Sequence, residues 1–436
     1  MAGLVNYQGS QGSQGSQGSQ GSQGSQGSQG SQGSQGSGAW VPMHASGGLA
    51  GPAQSLAPGA DPSVSFSLMT IQQDLVSLTK PPIQWIPARK FGAAADGLPE
   101  IGDASRQFQW GDDIRLENMM TELMQPMQLK VDKAGEFYVA HVTNAARYEI
   151  LQISRPPRAL FDAQLIKVFQ KSDLRSERLT ELINQIGIPM QFWATVLDLN
   201  PVDHKYTLEV LFMALQMASH VNQFAKHSFG CPRPSAYSPA IQPVINPRRF
   251  GAFPSGHATE AFLVARLLQR LSKQPVAKIS DKTASLDSHL QKLAHRIADN
   301  REVAGVHFPI DGTVGRMVGE TLAEYFVYRC RTNQAAENAA SDDLSLMWQP
   351  RRFEGAKTID SSGKATTLEF NRYEPLDAVQ GAKGGIAEGE SLPPYFGTIV
   401  KSTKAPGAYQ ILEGMTGDLS LVNAAWKRAE AEWATF

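Results

Sequence analysis

Between residues 258 and about 271, Val264, Leu267, Leu268 and Leu271 recur at i, i+3, i+4 and i+7, while Arg266, Gln269 and Arg270 fall on the other side. That period predicts a helix with one buried face. Pro254 disfavours helix at Phe253, and Ser255 is a good N-cap, so the helix should begin at Ser255-Gly256-His257. Comparable patterns predict helices over residues 159–171, 177–186, 189–199, 207–226, 285–300 and 311–328. In the stretch 207–226 the buried stripe is Leu208, Leu211, Phe212 and Leu215; in 311–328 it is Val314, Met317, Val318, Thr321, Leu322 and Tyr325. Several such helices joined by modest loops predict an all-α fold, a helical bundle.

The flanks read differently. Residues 8–37 are ten copies of Gln-Gly-Ser, and Gly-, Ala- and Pro-rich sequence continues to about residue 62. With almost nothing apolar to bury, residues 1–62 are expected to be a disordered repeat and linker without a catalytic role. The methionines around residues 118–124 read as core filler rather than a cofactor box. Residues 136–142 and 148–153 fit strand and helix equally well. After about residue 336 come short alternating runs, with a candidate hairpin around 366–370 and a helix expected over 419–434.

Composition narrows the partners. The 436 residues suffice for one large domain or two ordinary ones, and 42% hydrophobic residues are ample for a core. Lys plus Arg number 40 against 41 for Asp plus Glu, so no global field points to nucleic acid or an anionic membrane. Any cationic function must be local. The best apolar run, 208–221, contains Glu209 and is too short to span a bilayer. The first residues lack the basic and apolar regions of a secretory signal, so the chain is expected to be soluble and cytoplasmic, export by another route being left open. Cys231 and Cys330 make neither a metal set nor a disulfide framework; each reads as a buried thiol, with a bridge between them left open.

The candidate chemistry lies in three short segments. Lys226 and Arg233-Pro234 form K-x6-R-P, Pro254 to His257 read P-S-G-H, and Arg301, His307 and Asp311 form R-x5-H-x3-D. Singly, each has an ordinary reading: Lys226 can complement a helix dipole, Arg233 can be a surface charge, and Asp311 can be an N-cap. Together they make a device. A helix start offers unpaired N–H groups, Gly256 lets a ligand approach the backbone, and two arginines with a lysine can hold the oxygens of a tetrahedral or bipyramidal anion beside the Ser255 hydroxyl.

In order and internal spacing these motifs resemble those of the vanadium-dependent haloperoxidase and type 2 phosphatidic acid phosphatase superfamily, which also includes bacterial non-specific acid phosphatases. The resembling region runs from about residue 205 to 330. The resemblance implies a catalytic domain over 63–335, with 336–436 as an extension packed on it. It implies Lys226, Arg233 and Arg301 as cationic clamps, with Ser255 and Gly256 as hydrogen-bond donors. His307 would ligate the vanadium of vanadate or attack phosphorus, Asp311 would hold its tautomer, and His257 would be the acid/base group.

Three features favour the haloperoxidase branch, with vanadate as cofactor and hydrogen peroxide and halide as substrates: no spanning helix, Asn300 where the phosphatase pattern usually has serine, and substantial extensions on both sides of the core. Phe250 resembles a residue near the halide path, and a plain core aromatic is an equal reading. The alternative is a soluble acid phosphatase acting through a phosphohistidine. The organic acceptor, the halide and any homo-oligomer are left open.

Overall fold

The structure, a computed structural model, describes residues 102–142, 147–187, 189–247, 249–272, 286–335, 351–365, 396–398 and 420–434. The Gln-Gly-Ser repeat and the candidate hairpin lie outside these residues. The described elements are mostly helical: α1 (Asp112–Met124), α2 (Arg158–Gln170), α3 (Arg175–Asn184), α4 (Met190–Leu197), α5 (Lys205–Phe229), α6 (Gly256–Leu271), α7 (Leu286–Val303), α8 (Pro309–Ala335) and α9 (Leu421–Glu432). All seven helices expected between residues 159 and 328 are present, and the tail helix with them. The Met-rich segment forms most of α1, with Met119 and Leu123 in the core.

The two ambiguous segments are strands. β1 (Met127–Val131), β2 (Phe137–Val142) and β3 (Arg147–Ile153) form an antiparallel meander, in which Phe137 and Val139 of β2 are buried. β4 (Arg351–Phe353) joins β3 in parallel, and β5 (Phe396–Thr398) closes the order β1-β2-β3-β4-β5. The bundle thus carries one small mixed sheet. Glu324 of α8 ties the two together by pairing with Arg351 of β4 at 3.1 Å and Arg266 of α6 at 3.4 Å.

That pairing also corrects an expectation. α6 was read as a helix with one buried face, yet Arg266 and Gln269 on its polar side are buried too. α6 is the central helix, packed against α5, α7 and α8, so its polar residues are met by buried partners instead of solvent. Its contact with α8 is close because α8 presents glycines. A Cβ on Gly315 would lie 2.7 Å from the Ser255 carbonyl oxygen, and one on Gly319 would collide with the Thr259 carbonyl. The Thr259 hydroxyl bridges the seam, donating to the Ser255 and Gly315 carbonyls.

α5 ends where Gly230 enters the left-handed region and donates its N–H to the Lys226 carbonyl. At its other end the α9 carboxylate of Glu432 accepts from the backbone N–H groups of Tyr206 and Thr207, which a first helical turn leaves unpaired. No described helix is long and apolar enough to cross a membrane. Cys231 and Cys330 are both buried, and neither is in a disulfide.

Candidate active site

Most of the motif residues are delivered by helix ends. Lys226 lies in the last turn of α5, Ser255 is the N-cap of α6, Arg301 is two residues from the end of α7, and Asp311 is in the first turn of α8. The Ser255 hydroxyl accepts from the Ala258 N–H, the capping bond its sequence predicts. Between α7 and α8 the chain turns at Gly305 with φ +78°, a conformation suited to glycine, and His307 follows.

Hydrogen bonds anchor these residues in groups. Lys226 is buried and donates to the carbonyls of Gly251 and Ala252 at 3.1 and 3.0 Å, leaving one of its three N–H groups for another acceptor. Arg233 donates to the Phe250 and Val306 carbonyls and, at 2.9 Å, to His307 Nε2. His307 Nδ1 lies 3.1 Å from Asp311 Oδ2, and the Ser255 N–H donates to the Asp311 carbonyl. The Phe250 ring sits against both Lys226 and Arg233, 5.6 and 5.3 Å from centroid to charge.

The neighbours fix the tautomers of both histidines. Arg233 can only donate, so His307 Nε2 carries a lone pair and Nδ1 carries the proton given to Asp311. His257 is the reverse. Its Nε2 is 3.0 and 3.1 Å from the Gln185 and Ile186 carbonyls, which only accept, so Nε2 is protonated and Nδ1 is the free base.

Burial and surrounding charge keep both rings neutral. His307 is held well below the usual histidine range by burial and by Arg233, Lys226, His257 and Arg301. Burial and Arg301 bring His257 down to about 3. Burial with Arg233 nearby also depresses Lys226, and burial lowers Arg233 and Arg301 to about 10. For Asp311, burial raises the carboxyl, against the Phe308 N–H bond and the two cations. These mutual influences place all three clamps and both histidines within one electrostatic neighbourhood.

Arg301 has the most to say about a ligand. Only its Nη2 is engaged, with the Leu182 carbonyl and Gln185 Oε1, while Nε and Nη1 are buried without an acceptor. Buried donors are rarely left so, and those that are call for an explanation such as a missing anion.

Residues outside the motifs also belong here. Gln185, at the C-cap of α3, touches both Arg301 and His257; nothing in its sequence context marks it. Glu260 stands one turn after His257 on α6, beside Lys226 and Arg301, and its i+3 spacing was the available signal. Asn300, noted only as a departure from a pattern, donates to Glu181 and Gln185 and so fixes α3 against α7.

Burial raises Glu260 from its ordinary 4.5 to about 8, so the folded state retains its proton where the unfolded chain has lost it. Its contribution to stability is full below pH 4.5 and disappears as pH rises through 8. Glu260→Gln is therefore expected to remove a pH-dependent loss of about 3–5 kcal/mol across that window, read as urea midpoints at pH 5, 7 and 9 against the unaltered chain.

With the geometry in view, the matching segment of the chain can be placed. Residues 207–335 match the PAP2 superfamily, which spans phosphatases and haloperoxidases. The match runs from α5 to the end of α8 and contains all three motifs, whereas Gln185 and the sheet meander precede it. A search of curated proteins returned no match. The matching segment thus contains Lys226, Arg233, Arg301 and both histidines, while α3, outside it, reaches Arg301 and His257.

Proposed function

We propose that this protein is a vanadate-dependent haloperoxidase, oxidising halide with hydrogen peroxide to hypohalous acid. The observation that carries the oxyanion part is the pair of unsatisfied donors on buried Arg301, beside Lys226 with one N–H to spare. Donors of this kind, with no carboxylate paired to them, fit vanadate: Lys226, Arg233, Arg301, Ser255 and Gly256 would hold its oxygens, and His307 Nε2 would ligate the metal. When bound, vanadate supplies Lewis-acid activation of peroxide.

The chain's own part follows from its tautomers. Asp311 keeps the proton on Nδ1 of His307 and so keeps the Nε2 lone pair available once Arg233 turns to an anion. His257, neutral at ordinary pH, offers Nδ1 as a base for the proton of an incoming peroxide. Beside His257 lies a small cavity of about 10 Å³, lined by His257, Glu260, Trp193 and Ile297 among others.

The same cradle could serve a phosphomonoesterase with His307 as nucleophile, because vanadate and a phosphoryl group in flight ask for the same donors. Purified apoprotein mixed with orthovanadate, peroxide, bromide and a halogen-accepting dye decides between them. Dye bromination that depends on vanadate is expected. Phosphate release from an aryl phosphate, inhibited by vanadate and without bromination, would assign the phosphatase instead.

A further inference from the structure

Gln185 lies outside the PAP2 match and is fully buried. Its amide oxygen accepts from Asn300 Nδ2 at 2.9 Å and Arg301 Nη2 at 3.3 Å. Two donors on that atom settle the orientation of the amide, with the oxygen accepting from both and the NH2 group as the other arm. The NH2 group has no acceptor. On Arg301, which Gln185 holds through Nη2, Nε and Nη1 also have none among the described residues. Two hydrogen-bonded side chains thus carry three buried donor groups without an acceptor. Water would leave the charge of Arg301 unanswered; an anion with several oxygens answers both groups.

We propose that Gln185 is a further binding residue of the oxyanion site, its amide oxygen orienting Arg301 and its amide N–H donating to an oxygen of the bound anion. The proposal rests on the oxyanion reading of the PAP2 site. An uncharged amide at this position has a physical advantage. A carboxylate would accept the same bonds from Asn300 and Arg301, but it would neutralise the clamp and repel the ligand.

Other charges bear on the same place and enter the test. Arg301 and Arg296 come from α7, Glu181 and Arg178 from α3, and His257 and Glu260 from α6. Comparison of variants at matched pH cancels their shared contribution.

The full chain is titrated with inorganic phosphate and, separately, orthovanadate by calorimetry at pH 5 and pH 8. Gln185→Glu is expected to weaken binding at least about tenfold at pH 8, with the deficit relative to the unaltered chain shrinking at pH 5 as the new carboxyl takes a proton. Gln185→Met, similar in size and unable to hydrogen-bond, is expected to weaken binding to a similar extent at both pH values. A merely structural role would not make the glutamate deficit depend on pH. If Arg301→Met loses binding but both Gln185 variants match the unaltered chain, the Gln185 assignment is overturned and the oxyanion reading stands. If the unaltered chain binds neither anion, or Arg301→Met binds as well as it does, the oxyanion reading falls and takes this proposal with it. Should the variants fail to fold, selective ¹⁵N-glutamine labelling of the unaltered chain decides: the Gln185 side-chain amide shifts on phosphate addition, or the proposal is wrong.

Discussion

Replacing His307 with alanine is expected to lower turnover at least about a thousandfold, whichever of the two reactions the site performs. The imidazole presents its Nε2 lone pair to Arg233, which donates to it, while Asp311 holds the proton on Nδ1. No neighbour can substitute for it. Cys231 is buried and its thiol is pushed up to about 12, which leaves it without a useful thiolate. His257 has its own Nε2 held by two carbonyls of the α3–α4 connection. Steady-state rates measured beside circular dichroism melts check the prediction: a folded His307→Ala protein that still turns over would remove His307 from its assigned place.

The second large effect concerns stability. Gly319→Ala is expected to destabilise the fold by about 1–3 kcal/mol or more, because overpacked cores cost that much even when side chains can yield. Here the obstacle is the Thr259 carbonyl, part of the backbone of α6, so relief requires the two helices to part. Parting them also shifts Ser255 relative to Asp311, whose carbonyl accepts the Ser255 N–H. Urea unfolding should register the loss of stability, and anion affinity should fall in the same variant. An unchanged midpoint would mean that the α6–α8 contact is looser than its glycines imply.

Much of this site was legible because its residues sit where local rules are strongest. A proline followed by Ser-Gly at the start of an apolar period defines a helix N-terminus, and Ser255 caps α6 as that rule demands. Helices with long apolar stripes, such as 207–226 and 311–328, announced themselves for the same reason. The strands did not. Their apolar runs are short, and β3 and β4 pair across about two hundred residues, a relation that no local period encodes. Burial of the polar side of α6 was equally hidden, since Arg266 enters the core with Glu324 as a partner from a distant helix. Gln185 was the hardest to see: its importance comes from two hydrogen bonds made to residues more than seventy positions away.

The tail acts as a guy rope for the lysine. Glu432 and Trp433, more than two hundred residues further along the chain, grip the first turn of α5, the former through its carboxylate and the latter by an indole N–H to the Thr207 hydroxyl and by a tilted ring contact with His204. Lys226 rides on the same rigid rod, roughly 30 Å further along. A protease cut or a bulky fusion near residue 430 would therefore slacken a cation it never approaches.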